Sequence, residues 1–163
     1  MGKYADRSVS AALKSTHHPS PITHHPKAGT VLAFDFGEKR IGVAVGDLTA
    51  GIAHPLTTIG AADNRARFAA IAALIAEWRP TELVVGVPMH EGGGIHPVGE
   101  LARRFARRLE GRFGIATRLI DERLTSYMAE SGLREAGTAR RKVKQAIDAA
   151  AAQIILEAYF AVR

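Results

Sequence analysis

Three carboxylates occupy positions where folding alone would not place them. Asp35 interrupts the apolar run T-V-L-A-F-D-F from Thr30 to Phe36, Glu122 directly follows a strand-like segment within I-D-E-R-L-T, and Asp148 sits inside A-I-D-A-A-A-A-Q-I-I-L. An ionised Asp among Val31, Leu32, Phe34 and Phe36 is costly unless a cation compensates it. The compensator can be a metal ion, an Arg or Lys, or the magnesium of a nucleotide; the structural alternative is an Asp that caps a turn. Asp148 falls more than two turns into a helix, where Asp is a weak helix former and the favourable N-terminal dipole no longer reaches. Such departures from local consistency mark candidate functional positions.

The elements that must position these acids are legible from periodicity. Residues 30–36, 40–47 and 51–59 alternate as strands, with short Gly-containing links that indicate antiparallel hairpins. Gly37 and Gly42 allow a tight turn and a return strand, which leaves Asp35 at a strand end facing a cleft. Pro55 marks the third strand as an edge or bulged strand. Asp63 is placed to cap a helix with Phe68, Ile71, Leu74, Ile75 and Trp78 on its apolar face, stopped by Pro80. The run E-L-V-V-G-V from Glu82 reads as a buried parallel strand. A Gly-rich loop, Pro88 to His96, leads to Pro97 and a second helix with Val98, Leu101, Phe105 and Leu109 inward and Arg103, Arg104, Arg107 and Arg108 on a solvated face. Ala116 to Asp121 reads as the fifth strand, followed by a helix from about Thr125. A last helix from about Thr138 turns Val143, Ile147, Ile154, Ile155 and Tyr159 toward the core. This order predicts an α/β fold, a mixed five-stranded sheet of three antiparallel strands and then alternating helices and strands, flanked by helices.

At 163 residues the chain is most simply one domain, large enough to bury about 70 % of the surface exposed by its unfolded form. Residues 1–29, with H-H-P-S-P-I-T-H-H-P from His17 to Pro26, read as a flexible extension ahead of a domain at 30–163. The absence of cysteine rules out disulfides and thiolate zinc sites and suits a reducing cytosol. No apolar run approaches the roughly 18 residues of a membrane span, and no signal-peptide core opens the chain, so a cytoplasmic protein without a membrane partner is expected. The 22 Lys and Arg exceed the 16 Asp and Glu, giving a net charge of +6 that favours polyanionic partners.

Four motifs in order, F-D-F-G-x-K-R-I-G-V-A around Asp35, V-V-G-V-P at Val84 to Pro88, D-E-R-L-T at Asp121 to Thr125, and I-D-A-x-A-A ahead of I-I-L-E-A-Y-F, make the chain resemble the YqgF/RuvX family over about residues 30 to 160. The resemblance implies an RNase H-like fold and a metal-dependent endonuclease. Such proteins are described as nucleases maturing the 5′ end of 16S ribosomal RNA and as Holliday-junction-resolvase-like. It assigns Asp35, Glu122 and Asp148 to the acidic active site, where hard oxygen ligands suit two ions of Mg2+ or Mn2+ about 3.5 to 4 Å apart. Asp121 and Asp47 are read as structural, since Asp121 should point away from Glu122 on an alternating strand. Two departures from the family pattern stand out: His90 replaces a common Asn and is a possible substrate contact, and Gln145 and Ala146 stand where a basic residue often lies near the catalytic Asp.

Lys39 and Arg40 on the first hairpin, and Arg140, Arg141, Lys142 and Lys144 just ahead of Asp148, are the expected nucleic-acid-binding groups. The expected partner is structured RNA, including pre-ribosomal particles, with a four-way DNA junction as the alternative. Two symmetric cuts would favour a dimer, whereas one RNA end would not require it. Two readings from other classes are a nonenzymatic nucleic-acid-binding domain and an ATP-binding domain. The latter follows from the D-x-G-x-x-x-x-G-x-A hairpin of actin-like kinases, although those proteins bind ATP between two domains.

Overall fold

The computed structural model describes residues 29–60, 63–90, 92, 94, 96–122 and 140–163, with the side chains of Arg140 and Arg141 excepted. Strands β1 (Thr30–Phe36), β2 (Arg40–Asp47) and β3 (Ile52–Gly60) form an antiparallel meander. Strands β4 (Glu82–Val87) and β5 (Ala116–Asp121) add in parallel on the other side of β1, giving the order β3-β2-β1-β4-β5. The mixed five-stranded sheet expected from the sequence is thus present. Its third strand runs one residue later than the pattern indicated, from Ile52 to Gly60. Pro55 lies on this edge strand opposite Ala44, where the register shifts between Val43 and Ala44, so the missing amide and the bulge fall together.

Three helices cover the sheet. Helix α1 (Asn64–Trp78) begins at Asp63, whose Oδ1 accepts a 2.8 Å hydrogen bond from the Ala66 amide, and ends at Arg79 in the left-handed region, just before Pro80. Helix α2 (Pro97–Phe113) has His96 as its cap, with Nδ1 accepting from the Val98 amide at 3.2 Å, and closes on Gly114. Helix α3 (Arg140–Ala161) is the last. The helix expected from about Thr125, the first residues of the last helix and the extension before residue 29 lie outside the described residues.

Strand alternation divides the core. Leu32 and Phe34 of β1 join Phe68 and Ile71 of α1 and Phe105 and Leu109 of α2, while Val31 and Ala33 join Ala152, Ile155, Leu156 and Tyr159 of α3. Two expected helix faces need correction. In α2 the buried stripe is Gly99, Ala102, Phe105, Ala106 and Leu109, with Val98 and Leu101 only half-buried, because small residues let the helix lie close to the chain leaving β4. In α3, Ile147 is 36 % exposed while Ala152, Ile155 and Tyr159 bury. The spacing of those three residues carries Asp148, not Ile147, onto the sheet side.

The close seat of α3 depends on Gly42: a Cβ at that position would overlap the backbone carbonyl of Asp148. Gly42→Ala should therefore destabilise the protein by about 1–3 kcal/mol in urea unfolding, as overpacking does. Gly60→Ala, whose Cβ would meet nothing within 4 Å, should stay within about 0.5 kcal/mol of wild type. Equal effects would show that the helix does not rest on Gly42.

Candidate active site

Asp35 lies at the end of β1 on the face that Val31 and Ala33 turn toward α3. Its register partner across the β1–β2 ladder is Gly42. The absent side chain at Gly42 lets the α3 backbone descend at Asp148, so the two Asp residues meet over one point of the sheet. Hydrogen bonds from Thr58 Oγ1 to the Gln145 carbonyl, 2.6 Å, and from Gln153 Nε2 to the Ala53 carbonyl, 3.2 Å, hold the helix across the edge strand. Glu122 follows β5, and β4 separates that strand from β1. A second glycine solves this separation: a Cβ at Gly86 of β4 would stand 2.7 Å from Glu122 Oε1 and overlap the Ile155 side chain. The Glu122 carboxyl therefore crosses β4 through the gap left by Gly86 and reaches Asp35.

The electrostatics follow from this convergence. Burial, then the neighbouring charge of Asp148, raises the Asp35 carboxyl from 3.8 to about 6, although a hydrogen bond with Glu122 works the other way. Burial raises Glu122 from 4.5 to about 7, helped by the Asp35 charge, the hydrogen bond to Asp35 and the charge of Asp121. Two carboxyls so close share a proton more readily than both ionise, and the hydrogen bond between them holds it. Asp148 is answered differently: Arg40 Nε donates to its Oδ2 at 2.7 Å, with both side chains half-buried.

These stand-ins account for the arrangement of the donors. Among the described residues no three His, Cys, Asp or Glu side chains are grouped so as to hold a metal ion; Asp35 interacts with Glu122, and Asp148 with Arg40. The donor set itself, carboxylate oxygens beside one another at a strand end, fits a hard divalent cation, and a proton and a guanidinium now supply the positive charge that such a cation would bring.

The other expected residues divide. Lys39 is exposed on the β1–β2 turn, and Lys142 and Lys144 are exposed on α3. Arg40, expected to touch substrate, is instead bound to Asp148. The side chains of Arg140 and Arg141 lie outside the described residues. His90 is exposed and packs its ring 4.6 Å from that of His96, the α2 cap. Asp47 accepts from the amides of Thr49 and Ala50, both at 2.8 Å, and is a turn cap. Sequence reasoning missed the roles of Gly42 and Gly86. The available signal was a glycine within a strand pattern, which often marks close approach of another chain segment; Gly42 was instead read as helping the turn.

Comparison with known proteins shows what the chain resembles. A family model described as "RuvX: Holliday junction resolvase" matches residues 29–162. A Methylobacillus flagellatus protein named "Putative pre-16S rRNA nuclease" is 56% identical over 132 residues, covering 81% of this chain and 90% of that protein. One of the same name from Chromobacterium violaceum is 58% identical over 130 residues, covering 79% and 95%. Among solved structures, Thermus thermophilus RuvC in complex with a Holliday junction substrate aligns with a TM-score of 0.51 at 15% identity, covering 82% of this chain and 94% of that one. That likeness speaks for the fold, an RNase H-like arrangement.

The raised proton affinities carry a signed consequence. Asp35 and Glu122 hold protons in the folded state that the unfolded chain releases, so their contribution to stability is present at acid pH and is lost as pH rises from about 4 toward about 7. In metal-free buffer, Asp35→Asn should gain stability relative to wild type across that window in thermal unfolding. A constant difference between the two proteins would show that the carboxyls are not coupled.

Proposed function

The chain belongs to the RuvX family, and we propose that it is a divalent-metal-dependent endonuclease that hydrolyses phosphodiester bonds during 5′-end maturation of precursor 16S ribosomal RNA. The observation that carries this reading is the convergence of Asp35, Glu122 and Asp148 at one end of the sheet, with two of the three carboxyls holding protons well above their ordinary range. Such a cost in folding free energy is reasonable where the groups serve a cation rather than the core.

Asp35, Glu122 and Asp148 are the residues that would hold Mg2+ or Mn2+, in a site with room in its chemistry for two ions. When bound, such ions supply an activated water and charge stabilisation of the leaving oxygen. For these carboxylates to serve as ligands, Glu122 gives up its proton and Arg40 leaves Asp148. Arg40 is then released beside the reacting phosphate, where its planar guanidinium suits a phosphate oxygen. Lys39 on the turn, and Arg140, Arg141, Lys142 and Lys144 at the start of α3, supply the charge that holds the flanking backbone. The exposed His90 ring, on the loop after β4, is a substrate contact in this reading.

The names of the close relatives favour ribosomal RNA as substrate. A second reading, resolution of four-way DNA junctions, draws on the family description. Three carboxylates brought together at buried cost weigh against a purely nonenzymatic nucleic-acid- or ATP-binding role. No helix among the described residues is long and apolar enough to cross a membrane, and the cytoplasm, where ribosomal RNA matures in a bacterium, is the proposed compartment.

The decisive assay is Mg2+- or Mn2+-dependent cleavage of a 5′-extended 16S precursor RNA beside a four-way DNA junction. Wild type should cut the RNA, and Asp35→Asn should lose more than about 100-fold, beyond the loss usual for an outer-sphere partner of a metal. Junction-selective cutting lost in the mutant would install the second reading. Full turnover by purified Asp35→Asn would remove Asp35 from the chemistry. The same cations should raise the melting temperature of wild type more than that of Asp35→Asn.

A further inference from the structure

On the other face of the same sheet end lies a cleft of about 380 Å3, between α1, α2 and the β1–β2 turn, with Arg67, Arg104, Arg108, Asn64, Phe36 and Glu38 in its lining. Arg67 is only 9% exposed. Its Nη2 donates to the Glu38 carbonyl at 2.6 Å, while its Nε is buried without a hydrogen-bond partner. Among the described residues no carboxylate pairs with Arg67, Arg104 or Arg108. Arg104 and Arg108 stand one helical turn apart, a spacing at which like charges repel. Glu38 is the acidic side chain in the lining, so three guanidiniums meet one carboxylate. The floor is aromatic, with the Phe36 and Phe105 rings 5.0 Å apart and Phe68 6.0 Å from Phe105. A buried guanidinium with an idle donor, beside two further unpaired guanidiniums, is an arrangement completed by an anion.

The sequence pattern had placed all four arginines of α2 on one solvated face, but they separate. Arg103 turns to Met89 and Glu100, at 3.4 and 3.9 Å, while Arg104 and Arg108 enter the cleft. Strand alternation ties the cleft to the carboxylates. Phe36 and Asp35 are consecutive, so their side chains leave opposite faces of β1 at the same end, and only the turn through Lys39 separates the two sites.

We propose that this cleft binds a backbone phosphate of the nucleic acid strand flanking the cleaved bond, which crosses the β1–β2 turn to reach the carboxylates. The proposal rests on the nuclease reading for the identity of the strand and on the cleft itself for the anion. Guanidinium forks present paired donors that suit phosphate oxygens, and of the three rings Phe36 is the one partly exposed beside them.

The test is fluorescence anisotropy of a labelled single-stranded RNA titrated with the full chain in EDTA, which separates binding from cleavage. Arg104→Ala/Arg108→Ala should bind at least about tenfold more weakly, and the slope of log affinity against log salt should shrink by about 0.7, the value for one lost phosphate contact on a single strand. Arg107→Ala, an exposed arginine of the same helix outside the cleft, should keep both wild-type values. A double variant with wild-type affinity and slope would overturn the cleft as a phosphate site, whatever the cleavage assay gives. Equal losses in Arg107→Ala and the double variant would also overturn it, by reducing the effect to net charge. If wild type cuts neither substrate while the double variant still loses RNA affinity, the nuclease reading fails and the phosphate site stands.

Discussion

The seat of α3 on the glycine at position 42 is the contact on which the candidate site depends. A helix packed on a sheet normally stands off by the depth of the side chains between them, too far for a short Asp side chain to meet another at a strand end. Removing the side chain opposite Asp35 lets the helix backbone close that distance at Asp148. Gly86 then performs the same service one strand over for Glu122. The site is therefore made as much by absences in the sheet as by the acids themselves. The two glycines also explain why the carboxylates are half-buried: close approach of the α3 backbone at Gly42, and of the Ile155 and Glu122 side chains at Gly86, excludes water from the space between them.

Exclusion of water sets the electrostatics. Carboxylates brought together in this way cannot all be ionised without a cation, and each finds a different substitute. Asp35 and Glu122 use a proton, and Asp148 uses Arg40. Both substitutes are exchangeable. A shared proton leaves near neutral pH, and an ion pair with both partners partly solvated is worth little, so neither locks the site against a divalent cation. A fully satisfied apolar core at the same place would be more stable and could do nothing chemical.

Much of the fold was legible because its signals are local. Alternation gave the strands, Asp63 and Pro80 bracketed α1, and Pro55 marked an edge strand that proved to be bulged. The acids were visible because each broke the pattern of its own segment. What escaped was relational. Arg40 was recognised as a cation near Asp35, but nothing local says that its partner lies 108 residues away on α3. The inward face of α3 was assigned by its large apolar residues, yet the helix is alanine-rich, and alanine fits either side; the face that buries is the one carrying Asp148. Gly42 was read as a turn residue because a glycine near a hairpin has that simpler use, and its true neighbour is supplied only by tertiary packing.

The period of two in β1 explains how one short strand can serve two tasks. Asp35 and Phe36 are neighbours, and the pleat sends one toward α3 and the other toward α1 and α2. On the first side the packing concentrates negative charge, and on the second it gathers arginines that no carboxylate among the described residues pairs. A polyanion is repelled by the first surface unless cations are present and attracted by the second whether or not they are. Binding at the cationic side would thus precede loading of the acidic side, holding the chain of phosphates at the strand end while Arg40 and the shared proton are displaced. A one-residue slip of β1 would exchange the two faces, putting Phe36 beneath Asp148 and Asp35 among the phenylalanines, so the register with β2 and β4 preserves both the core and the separation of the acidic face from the basic one.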